Sequence, residues 1–270
     1  RGGGGGQQRV GPLPLDRYVE LDGFGAANDA FISVAVDLGA EAIDAALREC
    51  GLAPSDVDLV LSTTVTGIAA PSIDALLAPR LGLREDVKRL PVFGLGCVAG
   101  AAGIARVHDY LVGHPDEVAV LLAVELCSLT VQRDDASMPN IVASGLFGDG
   151  AAAVVLVGER RAAHTGVTGP TVMASRSRLY PGTARTMGWD VGGSGFRIVL
   201  SASVADVVQQ YLGSDVAAFL AEAGLTIADV GAWVCHPGGP RVLEAMEKAL
   251  DLHDGQLDVT WRSLAEKGNL

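Results

Sequence analysis

Unbroken apolar runs alternate along this chain with stretches in which apolar residues recur every three or four positions, the pattern of strands packed between helices. Ala30 to Leu52 has helical periodicity, and Ile32, Ala35, Leu38, Ala42, Ala45 and Ala46 are predicted to form its buried face. A turn at Ala53-Pro54-Ser55 leads into a strand over Val57 to Thr64, and a helix is predicted from about Ser72 to Leu81. Leu90 to Leu95 reads as a buried strand and Ala101 to Leu111 as a helix. Val118 to Leu126 reads as a strand covered on both faces, and Ala151 to Val157 as a further strand. Charges at Glu41, Asp44, Arg48 and Glu49, and later at Glu244, Glu247 and Lys248, fall on solvated helix faces, and Asp134 and Asp135 on a surface loop. Glu125, at the end of a buried strand, must be paired or neutral.

The second half echoes the first. Leu47-Arg48-Glu49-Cys50-Gly51-Leu52 followed by Asp56-Val57 returns as Leu220-Ala221-Glu222-Ala223-Gly224-Leu225 followed by Asp229-Val230, at the same internal spacing. Each copy is a helix, a turn and an apolar strand ending in polar residues, Ser62-Thr63-Thr64 in one and Cys235-His236 in the other. The matched spacing favours duplication over a chance repeat of a common unit.

With 270 residues, 49% of them hydrophobic and few aromatic, the chain fits a tightly packed α/β protein. A formal net charge of −12 argues against general nucleic-acid binding. No apolar run approaches the roughly 18 residues that a membrane span needs. Cys50, Cys97, Cys127 and Cys235 lie far apart with no CxxC pair, and the five histidines lack metal-ligand spacing, so a reduced, cytoplasmic setting is expected and no metal. Arg1 to Gln8, with five successive glycines, reads as part of a disordered or artefactual leader over residues 1–14.

The candidate chemistry centres on Cys97, in Gly94-Leu95-Gly96-Cys97-Val98-Ala99-Gly100. Glycines on both sides make a sharp strand-to-helix turn with the thiol at the helix start. Unpaired N–H groups and the helix dipole there are expected to lower its pKa. His236 sits in Trp233-Val234-Cys235-His236-Pro237-Gly238-Gly239-Pro240, and Asn269 in Lys267-Gly268-Asn269-Leu270. Taken singly, an inert buried cysteine, a turn-capping histidine and a turn asparagine would be the plainer readings.

Together these motifs, with Gly145-Leu146-Phe147-Gly148-Asp149-Gly150-Ala151-Ala152-Ala153, resemble the bacterial type III polyketide synthases, the chalcone-synthase-like branch of the thiolase superfamily. The resemblance runs from about Leu15 to Leu270 and implies truncation at both ends. It implies a thiolase-like α/β fold of two duplicated βαβ halves stacked in alternating layers, one over 15–160 with the nucleophilic cysteine and one over 161–270 with His236 and Asn269.

The implied reaction is iterative decarboxylative condensation of malonyl-CoA onto an acyl-CoA starter. Cys97 carries the acyl group, while His236 and Asn269 stabilise the thiolate and the enolate. Phe147 is implied at the coenzyme A tunnel, and Thr64, Thr66, Cys127, Thr130, Met187, Gly188 and Phe196 around the cavity. No resident cofactor is implied, coenzyme A thioesters being substrates. A homodimer is implied, with Met138 as a possible contact and Glu125 in a structural role. Small groups at Thr66, Ala69, Ala70 and Cys127 point to a linear acyl starter, and an alkylpyrone is the expected product because lactonisation needs no further catalytic group. A ketosynthase III-like condensing enzyme and an inactive truncated homologue are the competing readings.

Overall fold

The computed structural model describes residues 11–270. Residues 1–10 of the expected leader lie outside the described residues, and 11–14 lead into the first helix. In chain order the first elements are α1 (Leu15–Glu20), α2 (Gly23–Cys50), β1 (Leu59–Thr64), α3 (Ile73–Leu81), β2 (Lys88–Phe93), α4 (Ala99–Gly113) and β3 (Val118–Leu126). There follow α5 (Met138–Leu146), β4 (Asp149–Val157), α6 (Glu159–Thr165), β5 (Met187–Gly192), β6 (Gly195–Leu200), α7 (Val204–Ala221), α8 (Pro240–Ala249) and α9 (Asp258–Lys267). The chain divides into two compact units. A sheet unit takes residues 12–130 and 149–177, and a C-terminal unit takes 131–148 and 178–270.

In the sheet unit the strand order is β2-β1-β3-β4. β1 runs parallel to both β2 and β3, and β4 runs antiparallel to β3. Val120, Leu122, Val124 and Leu126 of β3 point to one face and pack with Phe31, Ala35, Ile43 and Leu47 of α2 and Leu77 of α3. Ala119 and Leu121 point to the other, with Leu59 and Leu61 of β1 and Val107 and Leu111 of α4. Successive strand side chains face opposite ways, so covering both faces demands an apolar residue at nearly every position. The run predicted as a doubly covered strand, Val118 to Leu126, is β3 residue for residue.

Three local expectations change. α2 starts earlier than its periodicity suggested, and its buried stripe is Phe31, Ala35, Gly39, Ala40, Ile43 and Leu47. Of the predicted face only Ala35 belongs to that stripe; Ile32, Leu38, Ala42 and Ala46 flank it half-buried, and Ala45 is exposed. The larger Phe31, Ile43 and Leu47 side chains gain more by burial than alanines do, and they set the orientation. The strand before Cys97 ends at Phe93 and is not buried; β2 is an edge strand, and Phe93 is 53% exposed. With a neighbour on one side only, β2 lacks the cover that its apolar sequence implied.

In the C-terminal unit, β5 and β6 form an antiparallel hairpin, Met187 opposite Leu200. The strand expected to end at Cys235-His236 does not form. Among the described residues of this unit only β5 and β6 form a ladder, and residues 230–239 run as irregular chain. The internal echo survives at the turns. Asp56 accepts the Ala53 N–H at 2.8 Å and Asp229 accepts the Thr226 N–H at 2.8 Å, each opening a 3-10 turn, Pro54–Asp56 and Ile227–Asp229. Glu247 is not simply solvated, since it takes the Trp261 indole N–H at 2.8 Å and ties α8 to α9. No helix among the described residues is long and apolar enough to cross a membrane.

Leu122, fully buried in the middle of β3, makes the dependence on this strand testable. Leu122→Ala is expected to cost about 3 kcal/mol, the scale of a large-to-small change in a packed core, read as a lower urea midpoint at unchanged slope.

Candidate active site

Cys97 lies on a 3-10 turn, Gly96–Val98, between β2 and α4. Gly94 and Gly96 have φ of +98° and +56°, a backbone region that side chains disfavour. Glycine at both places lets the chain reverse within a few residues and carry the thiol directly before the helix. The expected lowering of the thiol pKa is not found. Burial pushes Cys97 up to about 11, the Glu125 carboxylate adds to the rise, and the backbone hydrogen bond opposes it by less. Desolvation of a thiolate beside a fixed negative charge outweighs the favourable helix start.

Glu125 sits within β3, and its carboxylate is tied to the loop after β1. The Val65 N–H donates to both oxygens at 3.0 and 3.1 Å, the Thr66 hydroxyl at 2.7 Å and the Thr64 hydroxyl at 3.2 Å. Burial raises its pKa, and these hydrogen bonds partly counter the rise. The Thr66 hydroxyl also accepts the Leu126 N–H at 2.9 Å. Buried and doubly engaged, it acts in holding the carboxylate rather than lining open space. Cys127 opens the 3-10 turn Cys127–Thr130, and the Thr130 hydroxyl donates back to the Cys127 carbonyl at 2.8 Å. Burial raises the Cys127 thiol well above its ordinary value, and the charges of Glu125 and Asp149 add to this. A largely apolar cavity of about 200 Å³ opens at the carboxyl ends of β1 and β2, lined among others by Ser62, Thr64, Ile73, Phe93 and Val124. Of the residues expected around the cavity, Thr64 and Ala69 line it.

The C-terminal unit brings three predicted residues together. Asn269 is 5% exposed. Its N–H donates to the Leu146 carbonyl at 2.9 Å and its carbonyl accepts the Gly148 N–H at 2.8 Å, pairing the chain beside Phe147. Its side-chain amide donates to the Gly238 carbonyl at 3.2 Å. The same side chain hydrogen-bonds His236, which raises the imidazole pKa, but burial lowers it by more. Nε2 of His236 is buried and finds no hydrogen-bond partner among the described residues. Phe147 lies edge-on to Trp189 with ring centroids 6.5 Å apart, and Trp189 packs at 6.0 Å on Phe196. Met187 and Gly188 precede Trp189 on β5, Gly188 half-buried and Met187 exposed.

In the Met187-Gly188-Trp189 stretch that the sequence places at the cavity, it is the Trp189 ring that makes the contact with Phe147. Glu125, expected to be paired or neutral, is paired with the loop after β1. The signal available for Glu125 was a carboxylate in an otherwise apolar strand. Among the described residues no group of three or more His, Cys, Asp and Glu side chains could hold a metal ion.

The Gly148 position shows how tightly the asparagine is held. A methyl group there would collide with the Lys267 backbone carbonyl. Gly148→Ala is therefore expected to cost about 2 kcal/mol of stability, the range of overpacking against a rigid backbone, and to loosen the Asn269 strand. Hydrogen exchange at the Asn269 and Gly148 amides checks it, with protection lost at both.

The profile of the N-terminal domain of chalcone and stilbene synthases matches residues 24–160, and that of the C-terminal domain matches 171–270. A 1,3,6,8-tetrahydroxynaphthalene synthase of Streptomyces peucetius subsp. caesius is 56% identical over 258 residues, covering 96% of this chain and 68% of the relative. A putative chalcone synthase of Bacillus subtilis (strain 168) is 32% identical over 268 residues, covering 95% of this chain and 72% of the relative. The crystal structure of the 1,3,6,8-tetrahydroxynaphthalene synthase of Streptomyces coelicolor A3(2), a bacterial type III polyketide synthase, superposes with a TM-score of 0.90 at 30% identity. It covers 97% of this chain and 73% of that one. With both of its domains matched by the family and its fold shared with a solved member, the chain belongs to the chalcone and stilbene synthases and is a type III polyketide synthase, an acyltransferase of thiolase-like fold.

Proposed function

We propose that this enzyme joins malonyl-CoA units by decarboxylative condensation on Cys97 and releases a polyhydroxylated naphthalene. The sulfur of Cys97 attacks a thioester carbonyl, a new thioester forms, and coenzyme A leaves as thiolate and takes up the displaced proton. A malonyl unit then loses carbon dioxide, and the enolate so formed carries its charge on the thioester oxygen. His236 and Asn269 are assigned as the donors to that oxygen. With its pKa lowered by burial, His236 is neutral near pH 7 and carries one N–H to give. Phe147, backed by Trp189, is assigned to the walls that guide the coenzyme A thioester.

The observation that carries this assignment is the Asn269 side chain. It is buried, aligned by its own backbone bonds to Leu146 and Gly148, and hydrogen-bonded toward His236. Immobile polar groups of this kind are what a developing oxyanion requires.

The naphthalene replaces the alkylpyrone expected because lactonisation needs no further catalytic group. Its support is the 56% identity to a tetrahydroxynaphthalene synthase over nearly the whole chain. A naphthalene bearing only hydroxyl groups has ten ring carbons, which divide into five two-carbon units with no separate starter side chain. The proposal includes a homodimer, resting on the family resemblance, and a reducing, cytoplasmic setting that agrees with four unpaired cysteines.

Incubation with labelled malonyl-CoA alone is expected to give a naphthalene product, an acyl adduct on Cys97 by peptide mass spectrometry, and neither with Cys97→Ala. Product that forms only when a fatty acyl-CoA is added, as a pyrone, would return the alkylpyrone reading. Asn269→Ala is expected to lower kcat by about a hundredfold with the Cys97 adduct still forming, the scale of one lost oxyanion donor. An unchanged kcat would remove Asn269 from the chemistry.

A further inference from the structure

Thr260 is a buried polar residue that the reaction above does not use. It stands in the first turn of α9, is 2% exposed, and with Leu264 one turn on forms the buried face of that helix. A buried hydroxyl is costly unless it is hydrogen-bonded. This one accepts the Cys235 N–H at 3.3 Å. Cys235 immediately precedes His236, on a segment that runs as irregular chain. In a strand, ladder hydrogen bonds would fix the direction of each side chain. Here a few separate bonds do that work. Beyond the histidine, the Gly238 N–H donates to the His236 carbonyl at 2.9 Å, and the Gly238 carbonyl accepts the Asn269 amide at 3.2 Å. The imidazole itself packs back on this turn: a methyl group placed at Gly238 would lie 3.5 Å from Cδ2 of His236. Thr260 is near the start of α9 and Asn269 just past its end, so one helix grips the loop on both sides of His236. That helix is held in turn by the Trp261 indole on Glu247 of α8, and α8 begins at Pro240, where the loop ends.

We infer that Thr260 is a positioning residue for His236, its hydroxyl holding the backbone ahead of the imidazole so that the ring meets the enolate oxygen at a fixed place. This role rests on His236 being a donor to that oxygen, as proposed above. A donor to a developing oxyanion acts by being in place beforehand, and a misplacement of about 1 Å costs on the order of a hundredfold in rate. Asn269 reaches the backbone of the loop at Gly238, next to Gly239, whose φ is +135°. Two successive glycines leave the chain there its widest freedom of rotation. A hold on that side alone leaves the histidine free to pivot. The bond from Cys235 to Thr260 supplies the hold on the other side.

The test compares Thr260→Val and Thr260→Ser with the unmodified enzyme, in turnover of labelled malonyl-CoA and in amide hydrogen exchange. Thr260→Val keeps the shape and removes the hydroxyl, whereas Thr260→Ser keeps the hydroxyl and loses a methyl group. In Thr260→Val, kcat is expected to fall about tenfold with KM for malonyl-CoA within about twofold, the pattern of an interaction made in the transition state. The Cys97 adduct still forms, and protection is lost at the Cys235 amide. Thr260→Ser is expected to keep kcat within about twofold, although the lost methyl group makes it the less stable variant. A part in packing alone gives the opposite order, with valine harmless and serine the more damaging. Should Thr260→Val fail to fold, Thr260→Ala removes the same hydroxyl in favour of the best helix former and is expected to lower kcat in the same way. An unchanged kcat in the folded variant overturns the inference, and so does unchanged protection at the Cys235 amide, a readout that needs no turnover. His236→Ala separates the two readings. If it turns over normally, His236 is no donor; if it is slow while Thr260→Val runs at full rate, Thr260 alone is struck.

Discussion

The sheet unit depends on one strand being dry on both sides. β3 supplies residues to the core under α2 and α3 and to the core under α4 at once, so its register against β1 and β4 places everything else. A slip of one residue would exchange its two faces and drive Glu125 into the apolar layer of Phe31 and Leu122, where its charge would have no partner. The carboxylate is tolerated because it comes at the last turn of the pleat, where the loop after β1 offers a backbone N–H and two hydroxyls. The same end of the strand continues into the turn that holds Cys127 and Thr130. Core packing and the polar groups around Cys97 are therefore set by one alignment.

In the C-terminal unit the comparable constraint is polar. Asn269 is buried, which is costly unless its groups are satisfied, and the structure satisfies them with backbone atoms of Leu146, Gly148 and Gly238. This links the segment before β4, the histidine loop and the segment after α9, three places far apart in sequence. The absence of a side chain at Gly148 is what lets the Lys267 carbonyl come so near. His236, by contrast, retains a buried ring nitrogen, Nε2, with no hydrogen-bond partner among the described residues, a cost of about 1–3 kcal/mol on the scale of such groups. In the proposed reaction that unmet hydrogen-bonding capacity is what His236 offers to the developing oxyanion.

The sulfur of Cys97 feels two opposed local effects, and their magnitudes decide the outcome. The start of α4 favours a thiolate, but it acts through the first turn alone. Burial and the nearby Glu125 charge both act against it and prevail. A helix start is by itself a poor guide to a reactive thiol when the surroundings are dry and anionic.

The sequence alone determined the limits of β3, the turn that carries Cys97, the helix after it and the family. Each of these rests on local chemistry, whether an unbroken apolar run, glycines needed for positive φ, or residues in fixed order. Even the paired turns at Asp56 and Asp229 follow from a side chain reaching its own neighbour three residues back. What the sequence left open depended on partners remote in the chain. Which stripe of α2 is buried was decided by the shape of the sheet beneath it, and whether β2 is covered by the number of strands beside it. The segment before His236 is apolar enough for a strand and is none, because a strand exists only when another offers its edge. Likewise the direction of the Cys97 pKa was decided by burial, with the charge of Glu125, twenty-eight residues away in sequence, adding to it, and both arise only on folding. Local pattern fixes which conformations a segment prefers, while burial and charge depend on what the rest of the chain places beside it.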